Sequence, residues 1–490
     1  MKSRSIRCFR YGWRRFTNAV MCRVLFIIAF SLGIALSAIW MIYWQAYAHP
    51  ESSVQMAPAE VFCVTPSGGS FPACDHTYTT VQAALNAATG GEIIRVAAGK
   101  HTGSAGIVAN ITKNVKLLGG WNSDFTIRDI SLYSSILDGR RLGRVVQITG
   151  NIAPTLDGFT ITGGNANTES FNPGHGGAII VATAGPIIQN NIITANIAYS
   201  GSSSLGLGGG IYLLNCAPTT IISANQIIAN AANTIYNGLG GGIGHMGGTI
   251  LINRNVIKNN QAGRGGGGLY LHGDGNMILS ENTIISNHST ISPTAQSYGG
   301  AIYIEFLTPF TLTNNVIANN GANLRGGGIY INGASSDVST GSLINNTLVA
   351  NTAGGNDDAV WLSGYVTVTL INNIIAEHSV GLYASTFSKA LADYTLFYQN
   401  SSGNTSGPGS ITNLHAITGL DPSFFSAVGM DFHLLANSPA IDAGDPAGVP
   451  PAPAIDFEQH LRPIGTRVDI GADEANLPVL LPMLIKSAIP

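Results

Sequence analysis

The sequence predicts an all-β chain wound into a parallel β-helix solenoid, from two recurring phrases and the spacing between them. The first phrase is Gly-Gly-(Gly/Ala)-aliphatic-aromatic, running from Gly208 to Tyr212, Gly266 to Tyr270, Gly299 to Tyr303 and Gly326 to Tyr330. Weaker copies begin at Gly176 and Gly240, while Val360-Trp361 and Leu382-Tyr383 keep only its last two positions. The second phrase, Asn-x-(Ile/Leu)-x-x-Asn, begins at Asn191, Asn225, Asn255, Asn282, Asn315 and Asn346, with a degenerate copy at Asn373. Successive starts lie 34, 30, 27, 33, 31 and 27 residues apart. A unit of about thirty residues that cannot bury its own apolar face must stack on its neighbours.

Within each unit the local pattern specifies strands. Short β-branched runs such as Ile221-Ile222, Thr249–Ile252 and Val366–Thr369 are separated by Gly, Asn and Ser, and no ten-residue stretch from Gly150 to Asn400 has helical periodicity. The glycine clusters supply positive φ for tight corners. Regularly placed asparagines can form ladders along the axis, each amide bonding its equivalent about 4.8 Å away on the next rung. A hydrophobic content of 45% excludes a disordered glycine-rich linker.

If Ile211, Leu269, Ile302, Ile329, Val360 and Leu382 point inward, the residues after them point outward: Tyr212, Tyr270, Tyr303, Tyr330, Trp361 and Tyr383, with Gly244 interrupting the column. Two readings stay open. The rings form a flat stripe that stacks against sugars, or a self-stacking ladder that stabilises the sheet. The same alignment places His272, Glu305 and Asn332 in one column, with Asp274 two residues beyond His272 and Arg264 and Arg325 just before glycine clusters. Only 15 of the 250 residues from 151 to 400 are charged, so His272, Glu305 and Asp274 are the candidate catalytic set. Glycoside hydrolysis would need two carboxylates about 5–9.5 Å apart. The alternative is sparse surface charge.

Ahead of the repeats, Tyr78 to Ala88 places apolar residues at 81, 84, 85 and 88, a helix ended by Gly90-Gly91. Laid across the open end of a coil, such a helix guards unpaired strand edges. Asp138-Gly139 and Asp157-Gly158 read either as turns or as ligand-binding positions.

Gly-Gly-Ala-Ile followed by Ile-x-x-Asn resembles the repeats of polymorphic outer membrane proteins and, more broadly, the pectin-lyase-like right-handed β-helix, over roughly residues 61–400. The resemblance implies a right-handed coil whose first rung is Ile93–Val96. It does not fix function, since this fold hosts lyases, hydrolases, adhesins and inert stalks. It departs from the first family in one respect: no large membrane barrel is expected after Asn400. Beyond a Ser/Gly-rich stretch at 401–410, the phrases Asp431-Phe432-His433-Leu434, Ser438–Asp445, Arg462-Pro463 and Val468–Glu474 are similar to the choice-of-anchor Q module of exported β-helix proteins. This module spans 420–476 and is followed by a short apolar tail, 477–490. Its nine acids admit Ca²⁺, with Asp442, Asp445 and Asp469 as ligands, or else cap turns. No cofactor is required.

Residues 1–48 read as a signal peptide or N-terminal membrane anchor: seven basic residues and no acid in 1–23, an apolar run from Val24 to Trp44, then Ala46-Tyr47-Ala48. Positive charge before the run places the remainder outside, secreted or at the cell surface. Removing that leader leaves 16 basic against 26 acidic residues, a charge of −10 without the basic stripe a nucleic-acid partner would need. Cys63 and Cys74 are expected to pair in an oxidising compartment, leaving Cys216 as a small core residue. The expected role is an exported, non-catalytic adhesion, glycan-binding or structural module. Its partner would be an extracellular polysaccharide or cell-surface glycan, with membrane contact only through the N-terminal segment. The alternative is a polysaccharide lyase or glycoside hydrolase.

Overall fold

The structure, a computed structural model, describes residues 59–201, 205–233, 235–289, 296–355, 358–446 and 452–476. The leader at 1–48 and the tail at 477–490 lie outside the described residues. Among the described residues no helix is long and apolar enough to cross a membrane.

Alternating apolar residues wind the chain into a right-handed coil with three parallel strand faces. The first face carries the glycine phrase, through Ile179–Ala182 and the beginnings of Ile211–Ser223, Ile243–Asn253, Leu269–Ser280 and Ile302–Thr313, then Ile329–Gly333, Asp358–Gly364 and Val380–Ala384. The second takes in the ends of those four long strands and continues through Ser339–Ile344, Val366–Ile371 and Lys389–Asp393. The third is a separate twelve-stranded sheet from Gly99–Thr102 to Ile417–Thr418. One aliphatic per rung on each face points inward: Ile302, Leu312 and Ile317 in one coil are all fully buried, directly above Leu269, Leu279 and Ile284. The inward column predicted on the first face is therefore the core.

Two asparagine ladders hold the corners between the second and third faces and beyond the third. Asn191 donates both its backbone N–H and its side-chain amide to Asn225 Oδ1, each at 3.0 Å. The same paired bonds recur through Asn255, Asn282, Asn315 and Asn346 to Asn373. A second ladder runs from Asn196 through Asn230, Asn260, Asn287 and Asn320 to Asn351. The residue before each first-ladder asparagine is left-handed, as at Ala224, Arg254 and Glu281 with φ of 53°, 57° and 56°. That conformation costs a non-glycine residue about 1 kcal/mol, which the buried amide bonds offset. At the corner entering the first face the geometry demands glycine twice. Gly208 has φ +61°, and a Cβ on Gly209 would stand 2.3 Å from the carbonyl oxygen of Gly241 on the next rung.

The predicted cap is a helix at Val81–Ala87, with the Thr80 hydroxyl accepting Ala83 N–H and Val81, Ala84 and Leu85 buried on the coil end. Gln82 Oε1 takes the Asn110 N–H at 2.8 Å, and Lys113 Nζ donates to the carbonyls of Leu85 and Asn86. Ile93–Ala97 is not the first rung, however. Val61–Val64 pairs with it in parallel and His76–Tyr78 pairs with Val61–Val64. Cys63 and Cys74 form a disulfide with Cα atoms 5.7 Å apart, tying these added strands together. Cys216 is free and buried, its thiol pushed up to about 12 by burial.

After the last coil the chain turns back. Phe424–Ser426 and Asp431–Leu434 make an antiparallel pair, and the stretches around Phe432 and Ile470 lie along the outside of the third face. There Phe432, Leu434, Ile470 and Ala472 pack against Val316, Val349, Ile374 and Leu396. Gly471 N–H to Asn372 O and Ala472 N–H to Thr347 Oγ1 secure it, at 2.8 and 2.9 Å.

Two outcomes follow. Ile302→Asp places a charge in the fully buried column and is expected to cost on the order of 4 kcal/mol, read as a lower urea midpoint; a midpoint equal to the parent's refutes the inward column. The second concerns His378, which ends the second ladder by accepting from Asn351 Nδ2 at 3.2 Å. Complete burial holds its imidazole down to about 3, against 6.5 in the unfolded chain. This contribution is intact above pH 6.5 and is lost as pH falls from 6.5 towards 3. His378→Asn continues the ladder with a group that does not titrate, so melting temperature measured across that window should fall less steeply than in the parent.

Candidate functional site

The aromatic column does leave the main core, but it is not open to solvent. Tyr212, Tyr270, Tyr303, Tyr330 and Trp361 are each at most 6% exposed, and Tyr383 is only partly covered. They form a second apolar cluster with Leu207, Leu239 and Tyr298, residues of the arms that lead into the glycine phrases. Glycine lets those arms close down: a Cβ on Gly265 would lie 2.4 Å from the Tyr303 ring. Tyr270, Tyr303 and Tyr330 meet edge-on with centroids 5.3 and 5.2 Å apart, and Trp361 stacks on Tyr383 at 3.7 Å. The Arg325 guanidinium lies 4.4 Å over Trp361. The expectation of an exposed stacking stripe is thus corrected. The arms bury the rings because the apolar area gained outweighs leaving six large rings wet.

The predicted charge column is present. His272 pairs with Glu305 and Glu305 with Asn332 on successive rungs. The half-buried Glu305 carboxylate accepts the hydroxyls of Tyr270 and Tyr303, both at 2.7 Å, and Asn332 Nδ2 at 3.4 Å. Burial first, and the Glu305 charge second, push both phenols well above their ordinary range. The carboxylate is therefore the acceptor that satisfies two buried hydroxyls. The His272 ring stacks on Tyr270 and meets Phe306 edge-on. Asp274 lies past a break in register and is exposed, so it does not join Glu305 as a second carboxylate. Asp138 and Asp157 serve turns and pairs: Asp138 binds Arg140 N–H and Lys100, and Asp157 binds Arg128 and Gln189.

In the C-terminal segment, Asp442, Asp445 and Asp469 do not converge as a cation cage. Asp469 spends its oxygens on Asp442 N–H and Ala475 N–H, and burial raises its carboxyl to about 6. Asp442 accepts Arg467 N–H, while Asp445 N–H bonds Asn372. Backbone donors take up Asp442 and Asp469 because so short a segment has few apolar residues with which to fix its turns. A set not singled out from the sequence does converge: His433, Glu458 and Asp473 bring ligand-type atoms within 4.8 Å of one another. Their separations of 25 and 15 residues match no motif, and only the fold joins them.

The role of Glu305 is testable by a double-mutant cycle. Glu305→Ala leaves two buried hydroxyls without an acceptor and is expected to cost about 2–4 kcal/mol. In the Tyr270→Phe/Tyr303→Phe background, where nothing is orphaned, most of that cost should vanish. An undiminished cost would show that Glu305 stabilises the coil in another way.

Residues 115–375 match the family described as the right handed beta helix region. Two solved structures are similar in outline. Pectate lyase Pel9A shares 12% identity with a TM-score of 0.35, covering 86% of this chain and 97% of that one. XylC in complex with xylose shares 11% with a TM-score of 0.38, covering 86% and 98%. No curated protein matches the chain in sequence. With three stacked strand faces and more than half its length matched, the chain belongs to the right-handed β-helix family.

Proposed function

We propose that this chain is a non-catalytic β-helical module that works outside the cell and adheres to an extracellular polysaccharide or cell-surface glycan. One observation carries the non-catalytic part. Glu305, the carboxylate best placed on the coil for acid–base work, is occupied by the buried hydroxyls of Tyr270 and Tyr303. A general base must aim an oxygen at its substrate, and both Glu305 oxygens are turned instead to these rings. The leader and the resemblances to polymorphic outer membrane proteins and the choice-of-anchor Q module support export and surface attachment. Because the aromatic rings are buried, the glycan contact moves to the uncovered part of the third face. A groove of about 250 Å³ there is lined by Ser131, Ser134, Thr160, Asn190 and Gln226 beside Ile130 and Ile192. Uncharged hydroxyls and amides next to aliphatic surface suit a neutral sugar chain.

The second reading, a lyase or hydrolase, rests on Glu305 being half-buried rather than sealed, with His272 one rung away. Incubating purified protein with a panel of insoluble polysaccharides separates the two. Adhesion predicts retention without new reducing or unsaturated ends, weakened several-fold by Gln226→Arg. Catalysis predicts new ends that Glu305→Gln abolishes. Retention on none of the panel would overturn the glycan-binding reading.

A further inference from the structure

We propose that His433, Glu458 and Asp473 bind a divalent transition-metal cation of the zinc class, through His433 Nε2 and one oxygen of each carboxylate. This goes beyond the adhesive role and does not depend on it. The three residues come from separate pieces of the C-terminal segment: the strand Asp431–Leu434, the loop through Glu458, and the return stretch packed on the third face. Their donor atoms all lie within 4.8 Å of one another. In a tetrahedral site with bonds of about 2.0–2.1 Å, donors stand about 3.3 Å apart. Side-chain adjustment closes that gap.

Asp431, which lies outside the trio, positions the His433 ring. His433 Nδ1 bonds the Asp431 carboxylate, while Nε2 faces Glu458 Oε2 at 2.8 Å. A carboxylate on the far nitrogen is the arrangement that fixes the tautomer and aims the near nitrogen at a metal. The other members are also held. Asp473 is buried and its Oδ2 accepts Leu434 N–H at 2.7 Å, which locks it to the residue following His433. The His433 ring packs on Phe457 with centroids 5.4 Å apart. Glu458 differs from Asp442 and Asp469, whose oxygens take backbone donors: its carboxylate faces His433 and, at 3.9 Å, His460. Its side chain is 39% exposed, which opens the cluster to solvent.

The donor chemistry selects the ion. One imidazole nitrogen with two carboxylates leaves a fourth position open, as zinc-class cations accept. Calcium wants six to eight oxygens and gains little from an imidazole. Binding exchanges the proton between Nε2 and Glu458 for the cation, and the proton leaves to solvent. His460 stands at the rim as a further nitrogen.

The test uses the full purified chain, stripped with EDTA and titrated with Zn²⁺ by calorimetry. One equivalent should bind and raise the melting temperature by several degrees, while Ca²⁺ and Mg²⁺ at equal concentration leave it unchanged. Co²⁺ should give a nitrogen/oxygen spectrum without a thiolate charge-transfer band; such a band would assign the ion to cysteine and overturn the proposal. His433→Gln and Glu458→Gln should each weaken binding at least tenfold, and Asp431→Asn should lower affinity while keeping the stoichiometry. Glu458 is solvent-accessible, so Glu458→Gln remains decisive if His433→Gln fails to fold. No bound Zn²⁺ in the parent, or parental affinity in Glu458→Gln, overturns the site.

Discussion

Each coil from Asn225 to Asn373 is set in place by a buried asparagine whose side-chain oxygen receives two N–H groups from the coil before it. Asn225, for example, accepts twice from Asn191 and donates to Asn255 Oδ1 and the Ile188 carbonyl. A buried amide left without partners costs on the order of 1–3 kcal/mol, so a slip of one residue in a single coil would orphan groups on both neighbours. The ladder thereby pins the register at its own corner, while the pairing shifts where the first face passes into the second, as between Met246 and Ile250. Once register is fixed, like positions stack into columns, and every other property of the coil follows column by column.

The outward columns show what that constraint does to chemistry. On the first face it aligns aromatic rings at rung spacing, which creates apolar area too large to leave in water. The arms ending in Leu207 and Leu239 close over it, and a second core results. Two phenolic hydroxyls are then buried, and Glu305 sits one rung above Tyr270 and two residues beyond Tyr303, where it bonds both. A residue that looks catalytic in a sparsely charged coil is thus explained by the needs of its neighbours. Charge-assisted bonds of this kind are stronger than neutral ones, which accounts for a carboxylate in such apolar surroundings.

The C-terminal segment solves a different problem. It has too few apolar residues for a core of its own, so it borrows the outer surface of the third face. Its remaining turns are fixed by acids. Asp456 accepts backbone N–H groups of Glu458, His460 and Glu474, and Glu474 accepts those of Ile464 and Asp469. The buried Arg462 pairs with Glu474 at 3.1 Å and donates to the carbonyls of Asp469, Gly471 and Ala472. Removing either partner of such a pair leaves a buried charge uncompensated, a far larger penalty than the pair's net contribution. The same economy of acids leaves His433, Glu458 and Asp473 facing one another.

What the sequence by itself determined is the coil: its parallel rungs, its inward aliphatics such as Ile302, its ladders and its capping helix. The rungs, aliphatics and ladders depend on contacts between equivalent positions about thirty residues apart, which a repeat writes directly into the chain, and the helix was legible in the spacing of its own apolar residues. The column of His272, Glu305 and Asn332 was legible for the same reason. Tertiary structure decided whether an outward column is wet or covered, since that depends on where arms of unequal length come to rest. It also decided which acids meet: Asp442 and Asp469 turn to separate backbone donors, whereas His433 meets Glu458 and Asp473, which lie 25 and 40 residues further along the chain. One signal was there to be read. The outward positions of the third face change from Gln226 and Lys258 to Val316, Ala318, Val349 and Ile374 where the returning segment lies. A parallel strand buried on both sides loses its polar alternation, because the second layer removes that face from water as completely as the core does.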